Sequence, residues 1–192
     1  MKKILLALIL SLFAAASVFS ASFEEACIVL SPEEKISGDF LQKRTIAANG
    51  RSLKSSGIFT VGKGEIIWQT QKPVKNTVKI TEGKITTLDS KGKESILDSS
   101  QSQVFTLISK MMASLFAGKR SELEEYFLID FDGSLNDNAS LWKMTLTPRD
   151  STISQTVSRI ILTGNLDYML SMESILASGD SILYEFLNHE KA

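Results

Sequence analysis

Lys54-Ser55-Ser56-Gly57-Ile58-Phe59-Thr60-Val61, then Gly62-Lys63-Gly64, then Glu65-Ile66-Ile67-Trp68-Gln69-Thr70: two runs of strand character meet across a three-residue turn. That is the pattern of an antiparallel hairpin. The same grammar extends in both directions. Upstream, Ile36–Ile46 sets Ile36, Gly38 and Phe40 against Ser37 and Asp39, and Asn49-Gly50 marks the next turn. Downstream, Lys72-Pro73 breaks the run, after which Asn76–Thr81, a turn at Glu82-Gly83 and Lys84–Leu88 follow. Ser90-Lys91-Gly92 then turns into a short strand at Glu94–Leu97. Connections of a few residues make neighbouring strands antiparallel.

One helix interrupts the meander. Over Gln101–Ala117, Val104, Phe105, Ile108, Met111, Met112, Leu115 and Phe116 recur at three- and four-residue spacing, giving a broad apolar stripe. Gly118 ends it, with Lys119-Arg120 beside its negative end. Strands resume at Glu125–Phe131, Leu141–Thr147, Val157–Thr163, Tyr168–Ile175 and Ser181–Leu187. Turns are expected at Asp132-Gly133, Asn136-Asp137-Asn138, Gly164-Asn165 and Gly179-Asp180, with a longer loop from Pro148 to Thr156 that has room for a helical turn. A short helix is expected at Phe23–Leu30, followed by a turn or an extra helical turn at Ser31-Pro32-Glu33-Glu34. The reading is mainly β with helices (α+β): about eleven strands in an incomplete antiparallel β-barrel with a helical lid.

The first residues read as a secretory leader. Lys2 and Lys3 precede an uncharged run from Ile4 to Phe19, and Val18-Phe19-Ser20 offers a cleavage site. The run is short for a membrane span and polar residues follow it. Residues 1–20 are therefore expected to be a signal peptide, with 21–192 as a single exported domain of 172 residues. Losing Lys2 and Lys3 moves the formal charge from −1 to −3. Without clustered lysine and arginine the chain is a poor nucleic-acid binder. Cys27 is the single cysteine, so no intrachain disulfide forms. Two carboxylates in the preceding Phe23-Glu24-Glu25-Ala26 are the wrong chemistry for a lipidation signal, so Cys27 reads as a small apolar helix residue.

Catalytic patterns are sparse. The one histidine, His189, falls within the last four residues of the chain, where a frayed tail would hold a base poorly. One histidine and one cysteine make no zinc site of the usual kind, and no cofactor fingerprint is present. Asp130 and Asp132 share a strand face and are the candidates for an acidic pair, but Asp132 runs into Gly133 and reads as a strand end. The apolar inventory carries more weight. Phe40, Phe59, Trp68, Phe105, Met111, Met112, Phe116, Phe127 and Trp142 fit either a filled core or a partly empty cavity, and periodicity does not separate the two.

Four motifs in order separate them. Gly38-Asp39-Phe40-Leu41-Gln42, Ser56-Gly57-Ile58-Phe59, Trp68 followed by Pro73, and Thr81-Glu82-Gly83-Lys84 form a series that resembles the LolA family of periplasmic outer-membrane lipoprotein carriers. The resemblance implies an incomplete barrel with a helical lid over an apolar cavity. It implies acylated lipoprotein or other lipid cargo, an inner-membrane exporter, an outer-membrane acceptor, and a monomer without cofactor or enzymatic activity. Carried over by position, Phe59, Ile66 and Trp68 line or underlie the cavity, with Phe40, Val78, Ile80, Phe127, Trp142 and Met144 completing the candidate set. Phe105, Ile108, Met111, Met112, Leu115 and Phe116 form the lid helix. Such carriers typically place a lid-latching arginine on the second of these strands. Here the gapless match is Gly62, and Lys63 beside it is the candidate latch, a point charge rather than a planar fork. Alternatives of other classes are a periplasmic regulatory module, a lipidated outer-membrane acceptor, and an enzyme acting on lipid or glycan through Asp130 and Asp132.

Overall fold

Alternating apolar and polar residues become eleven strands of one antiparallel sheet in the computed structural model, which describes residues 20–62, 64–81, 84–98, 120–135 and 140–191. The strands are β1 (Ile36–Thr45), β2 (Ser52–Gly62), β3 (Glu65–Lys72), β4 (Asn76–Thr81), β5 (Lys84–Leu88), β6 (Glu94–Asp98), β7 (Phe127–Asp132), β8 (Leu141–Pro148), β9 (Val157–Asn165), β10 (Met169–Leu176) and β11 (Ser181–Lys191). Three helices accompany them among the described residues: α1 (Phe23–Leu30), α2 (Arg120–Tyr126) and α3 (Ser151–Ser154). The spatial order is β6-β5-β4-β3-β2-β1-β11-β10-β9-β8-β7. Two meanders are thus joined at mid-sheet by the first and last strands. Among the described residues the ends β6 and β7 do not pair with each other. The result is the open barrel expected from the sequence.

Two motif glycines owe their identity to the close approach of neighbouring strands, Gly38 at that junction and Gly57 between β2 and β3. A Cβ on Gly38 would stand 2.6 Å from the Leu187 carbonyl oxygen and 2.9 Å from the Phe59 ring. One on Gly57 would stand 2.0 Å from the Gln69 carbonyl oxygen, next to a register shift between β2 and β3. Near these glycines Phe40 is 1% exposed, its ring 5.8 Å from that of Tyr184.

The β7–β9 half is filled. Phe127, Trp142, Met144, Leu146 and Leu162 are all 0% exposed. They share one face because strand alternation is unbroken across the paired register Met144↔Leu162 and Leu146↔Ile160. The Trp142 indole N–H donates to the Asn165 carbonyl at 2.8 Å, so its one polar atom is satisfied inside the core.

Several local expectations change. Glu125 and Tyr126 close α2 instead of opening β7. The Arg149 side chain donates to the carbonyls of Glu124 (2.9 Å) and Phe127 (3.0 Å), and its backbone N–H donates to Tyr126 (2.9 Å), which satisfies the helix end. Arg120 starts this helix. It pairs with Glu124 one turn on and with Glu24 at 3.6 Å, and sits 5.0 Å above the Phe23 ring. The turn expected at Gly164-Asn165 comes later, because β9 continues through Asn165, whose side chain accepts from the backbone N–H groups of Asp167 and Tyr168. Residues 148–156 do hold a helical turn, α3, capped by Asp150. The segment 31–34 bends without forming helix. The expected leader (save Ser20), the lid helix of residues 101–117 and the turns at 82–83 and 136–138 lie outside the described residues.

Candidate functional site

The motif hairpin puts Phe59, Ile66 and Trp68 on one face. Phe59 is registered with Trp68, Trp68 with Val78, and Ile66 with Ile80. On that face, against the C-terminal part of α1, lies an apolar pocket that opens to solvent. Strands β1–β3, β11 and the start of β10 wall it, and Val29 and Leu30 of α1 close one side.

Helix α1 is held by a reciprocal capping box. The Glu25 N–H donates to the Ser22 hydroxyl at 3.2 Å, and the Ser22 N–H donates to the Glu25 carboxylate at 2.8 Å. The Ser22 backbone bond in particular holds the Glu25 carboxyl below its usual range. Buried in the same helix, the Cys27 thiol is pushed up to about 11 by desolvation, with Glu24 adding to the effect and Arg120 opposing it. It is therefore a protonated, apolar filler, as its sequence context suggests.

The nine candidate cavity residues divide. Phe59, Ile66 and Trp68 line the pocket. Val78 and Ile80 continue the same face as half-buried residues. Phe40, Phe127, Trp142 and Met144 are packed in the core and are not part of the pocket wall. Lys63, the candidate latch, and the lid residues Phe105, Ile108, Met111, Met112, Leu115 and Phe116 lie outside the described residues. Asp130 and Asp132 are both exposed, and Asp132 accepts from the Ser134 N–H at 2.9 Å, a strand-end role.

His189 overturns the expectation of a frayed tail. Strand β11 runs to Lys191, paired with Ile36 of β1, and the half-buried imidazole forms part of the pocket wall. A bulge explains its direction. Ser37 pairs with Glu190 and Asp39 with Leu187, so β11 carries one residue more than β1 over this stretch. Asn188 takes the irregular conformation, φ +50°, and its side chain donates to Asp39 at 2.7 Å. Phe186 and His189, three residues apart, consequently both reach the pocket. The imidazole stacks on Tyr168 at 4.5 Å and meets Phe59 edge-on at 5.8 Å. Its Nε2 lies 3.1 Å from the Met169 carbonyl oxygen. Desolvation lowers its pKa, partly offset by that hydrogen bond. Tyr168, Met169 and Phe186 join the wall without being sequence candidates. Of these only the strand phase of Phe186 is a legible signal; the bulge that recruits His189 leaves none short of the paired register.

The family model described as outer membrane lipoprotein carrier protein LolA-like matches residues 24–184. No curated protein matches the chain. Among solved structures, a LolA superfamily protein from Nitrosomonas europaea aligns at 10% identity over 88% of this chain and 90% of its own, with a TM-score of 0.45. A DUF1329 family protein from Desulfovibrio piger aligns at 11% identity over 88% and 90%, with a TM-score of 0.46. A putative outer membrane lipoprotein-sorting protein domain from Vibrio parahaemolyticus aligns at 10% identity over 88% and 91%, with a TM-score of 0.35.

Proposed function

The chain belongs to the LolA-like outer membrane lipoprotein carrier family, and from that premise we propose that it is a periplasmic carrier that shelters acyl chains in the pocket walled by Phe59, Ile66 and Trp68. In this reading residues 1–20 are a cleaved leader, the helix at 101–117 is the lid, and cargo passes from an inner-membrane exporter to an outer-membrane acceptor. The observation that carries it is the apolar pocket, open to solvent, on the motif hairpin. Each methylene buried is worth about 0.8 kcal/mol, so an acyl chain crosses water at a useful rate only if shielded. Carriage needs no catalytic group, and the family is one of carrier and binding proteins. Among the described residues no helix is long and apolar enough to cross a membrane.

Lipoprotein is the first reading of the cargo. A second, a free acyl lipid, is favoured by Gly62, the position that matches the family's latching arginine. Gly62 has φ +148°, and a Cβ there would stand 3.0 Å from the Lys35 Cα and 3.1 Å from the Glu34 carbonyl oxygen. An arginine has neither the backbone conformation nor the space there.

Mass spectrometry of an organic extract and a digest of protein purified from its native periplasm tests both readings. Acylated peptides support lipoprotein cargo, and a free lipid supports the second reading. Trp68→Glu places a charge in the pocket wall at a half-buried position and should strip either cargo while circular dichroism stays unchanged. A folded Trp68→Glu protein that keeps its cargo sinks the pocket assignment.

A further inference from the structure

The bulge in β11 places a nitrogen heterocycle where an apolar side chain would complete the wall, and its hydrogen bonding fixes what that ring can do. A carbonyl oxygen only accepts, so the contact from Nε2 to Met169 requires the proton on Nε2. In the neutral ring Nδ1 then keeps an unshared pair, and among the described residues nothing donates to it. The surroundings favour the neutral ring: Tyr168 covers one face at 4.5 Å and Phe59 an edge, with Phe186 also in the wall. No carboxylate is among the residues lining the pocket. The direction of the pKa shift, downward through desolvation, agrees with that geometry.

The positioning is built in rather than incidental. Asp39 anchors Asn188 at 2.7 Å, and the absence of a side chain at Gly38 admits the Leu187 carbonyl. Both residues belong to the Gly38-Asp39-Phe40 motif, so one motif sets the sheet junction and the direction of His189.

We infer that His189 is the hydrogen-bond acceptor of the pocket and selects acyl cargo bearing a donor, a hydroxyl or an amide N–H, close to the chain. This rests on the carrier reading and narrows its cargo. Simple esters and ethers offer the ring no donor. Asp39 and Asn188 are positioning residues that act through the direction of the ring.

Two ligands that differ only in the donor test it: cetyl alcohol and its methyl ether. Dissociation constants come from displacement of N-phenylnaphthylamine fluorescence from the purified protein. The readout is the ratio of the ether constant to the alcohol constant, so the unequal hydration of the two ligands cancels between variants. His189→Phe keeps a ring for Tyr168 and Phe59 to pack on and removes the acceptor. It should lower the ratio about fivefold, the effect of one neutral hydrogen bond, by weakening alcohol and not ether binding. Asp39→Ala, an exposed site, should lower the same ratio and decides the matter if His189→Phe does not fold. An unchanged ratio in a folded His189→Phe protein overturns the role of His189 while leaving the pocket as a carrier site. Failure of both ligands to displace the probe from the wild type overturns the carrier reading and this one with it.

Discussion

Gly38→Ala tests whether β2 and β11 approach β1 as closely as the sheet requires. The added Cβ would meet the Leu187 carbonyl oxygen at 2.6 Å and two Phe59 ring atoms at 2.9 and 3.1 Å. Two effects oppose each other. Alanine restricts the unfolded chain and so stabilises by about 0.4–1 kcal/mol wherever the native backbone tolerates it. Overpacking a tight site costs about 1–3 kcal/mol. The steric effect should win, because the nearest atom is a backbone carbonyl in a paired strand and cannot rotate away. The expected net loss is about 1–2 kcal/mol, and at about 2–4 °C per kcal/mol for a chain of this size the melting temperature should fall by about 2–8 °C. Thermal unfolding by circular dichroism, with urea unfolding as a second measure, gives the number. Phe59→Leu added to Gly38→Ala relieves the ring contacts but not the carbonyl, so the double variant should recover only part of the loss relative to Phe59→Leu alone. A Gly38→Ala protein as stable as the wild type would falsify the close approach and, with it, the account of why the motif starts on glycine.

Two further outcomes follow from burial. His189 is the one histidine, so its imidazole proton resonance can be followed without assignment, and it should titrate below the usual value of about 6.5. The folded pKa is the depressed one, so the stability this group contributes is present above about pH 6.5 and is lost as pH falls through the folded pKa; His189→Phe should flatten that part of the profile. A resonance titrating above about 6.5 would contradict its place in the pocket. Met144 is 0% exposed in the filled half, so Met144→Ala should cost about 2–5 kcal/mol and leave the alcohol affinity of the folded protein unchanged. The reverse result, small loss of stability with large loss of binding, would put Met144 in the ligand site.

Local pattern carries most of the fold. The bounds of α1, β4 and β5 agree with expectation to the residue, because each has both a clear apolar phase and a flanking turn or cap. Departures arise where tertiary contacts outweigh local preference. Glu125 and Tyr126 suit a strand by continuity with Phe127, yet Arg149, more than twenty residues on in sequence, ties up the carbonyls at that corner. His189 departs from expectation for the same reason. Its nearness to the chain end argues for fraying, whereas pairing of β11 with β1 at mid-sheet holds the last strand along its length. Within the candidate site, Phe59, Ile66 and Trp68 are legible because they share a strand phase within one hairpin. Apart from Phe186, whose strand phase is regular, residues brought from β10, β11 and α1 are not, since nothing local relates their positions.

The division of apolar residues between two halves bears on how a carrier can release cargo. Between β7 and β9 the inner face is centred on Phe127, Trp142, Met144, Leu146 and Leu162, all without exposure, with the Trp142 N–H satisfied and Ile129 and Phe131 half-buried at the β7 edge. Between β3 and β5 the corresponding face carries buried Ile66 and half-buried Trp68, Val78, Ile80 and Ile85. A single filled core would couple every contact to stability, and a ligand leaving it would take folding energy away. Here Ile36, Phe59 and Phe186 of the pocket wall belong to the core itself, and Trp68 is packed against it from the margin. Loss of cargo would then uncover Trp68 and its half-buried neighbours Val78 and Ile80 while leaving the β7–β9 packing intact, so release need not unfold the protein. That difference in burial is why substitutions at Trp68 and at Met144 should part company, one affecting binding and the other stability, although both residues belong to one continuous sheet.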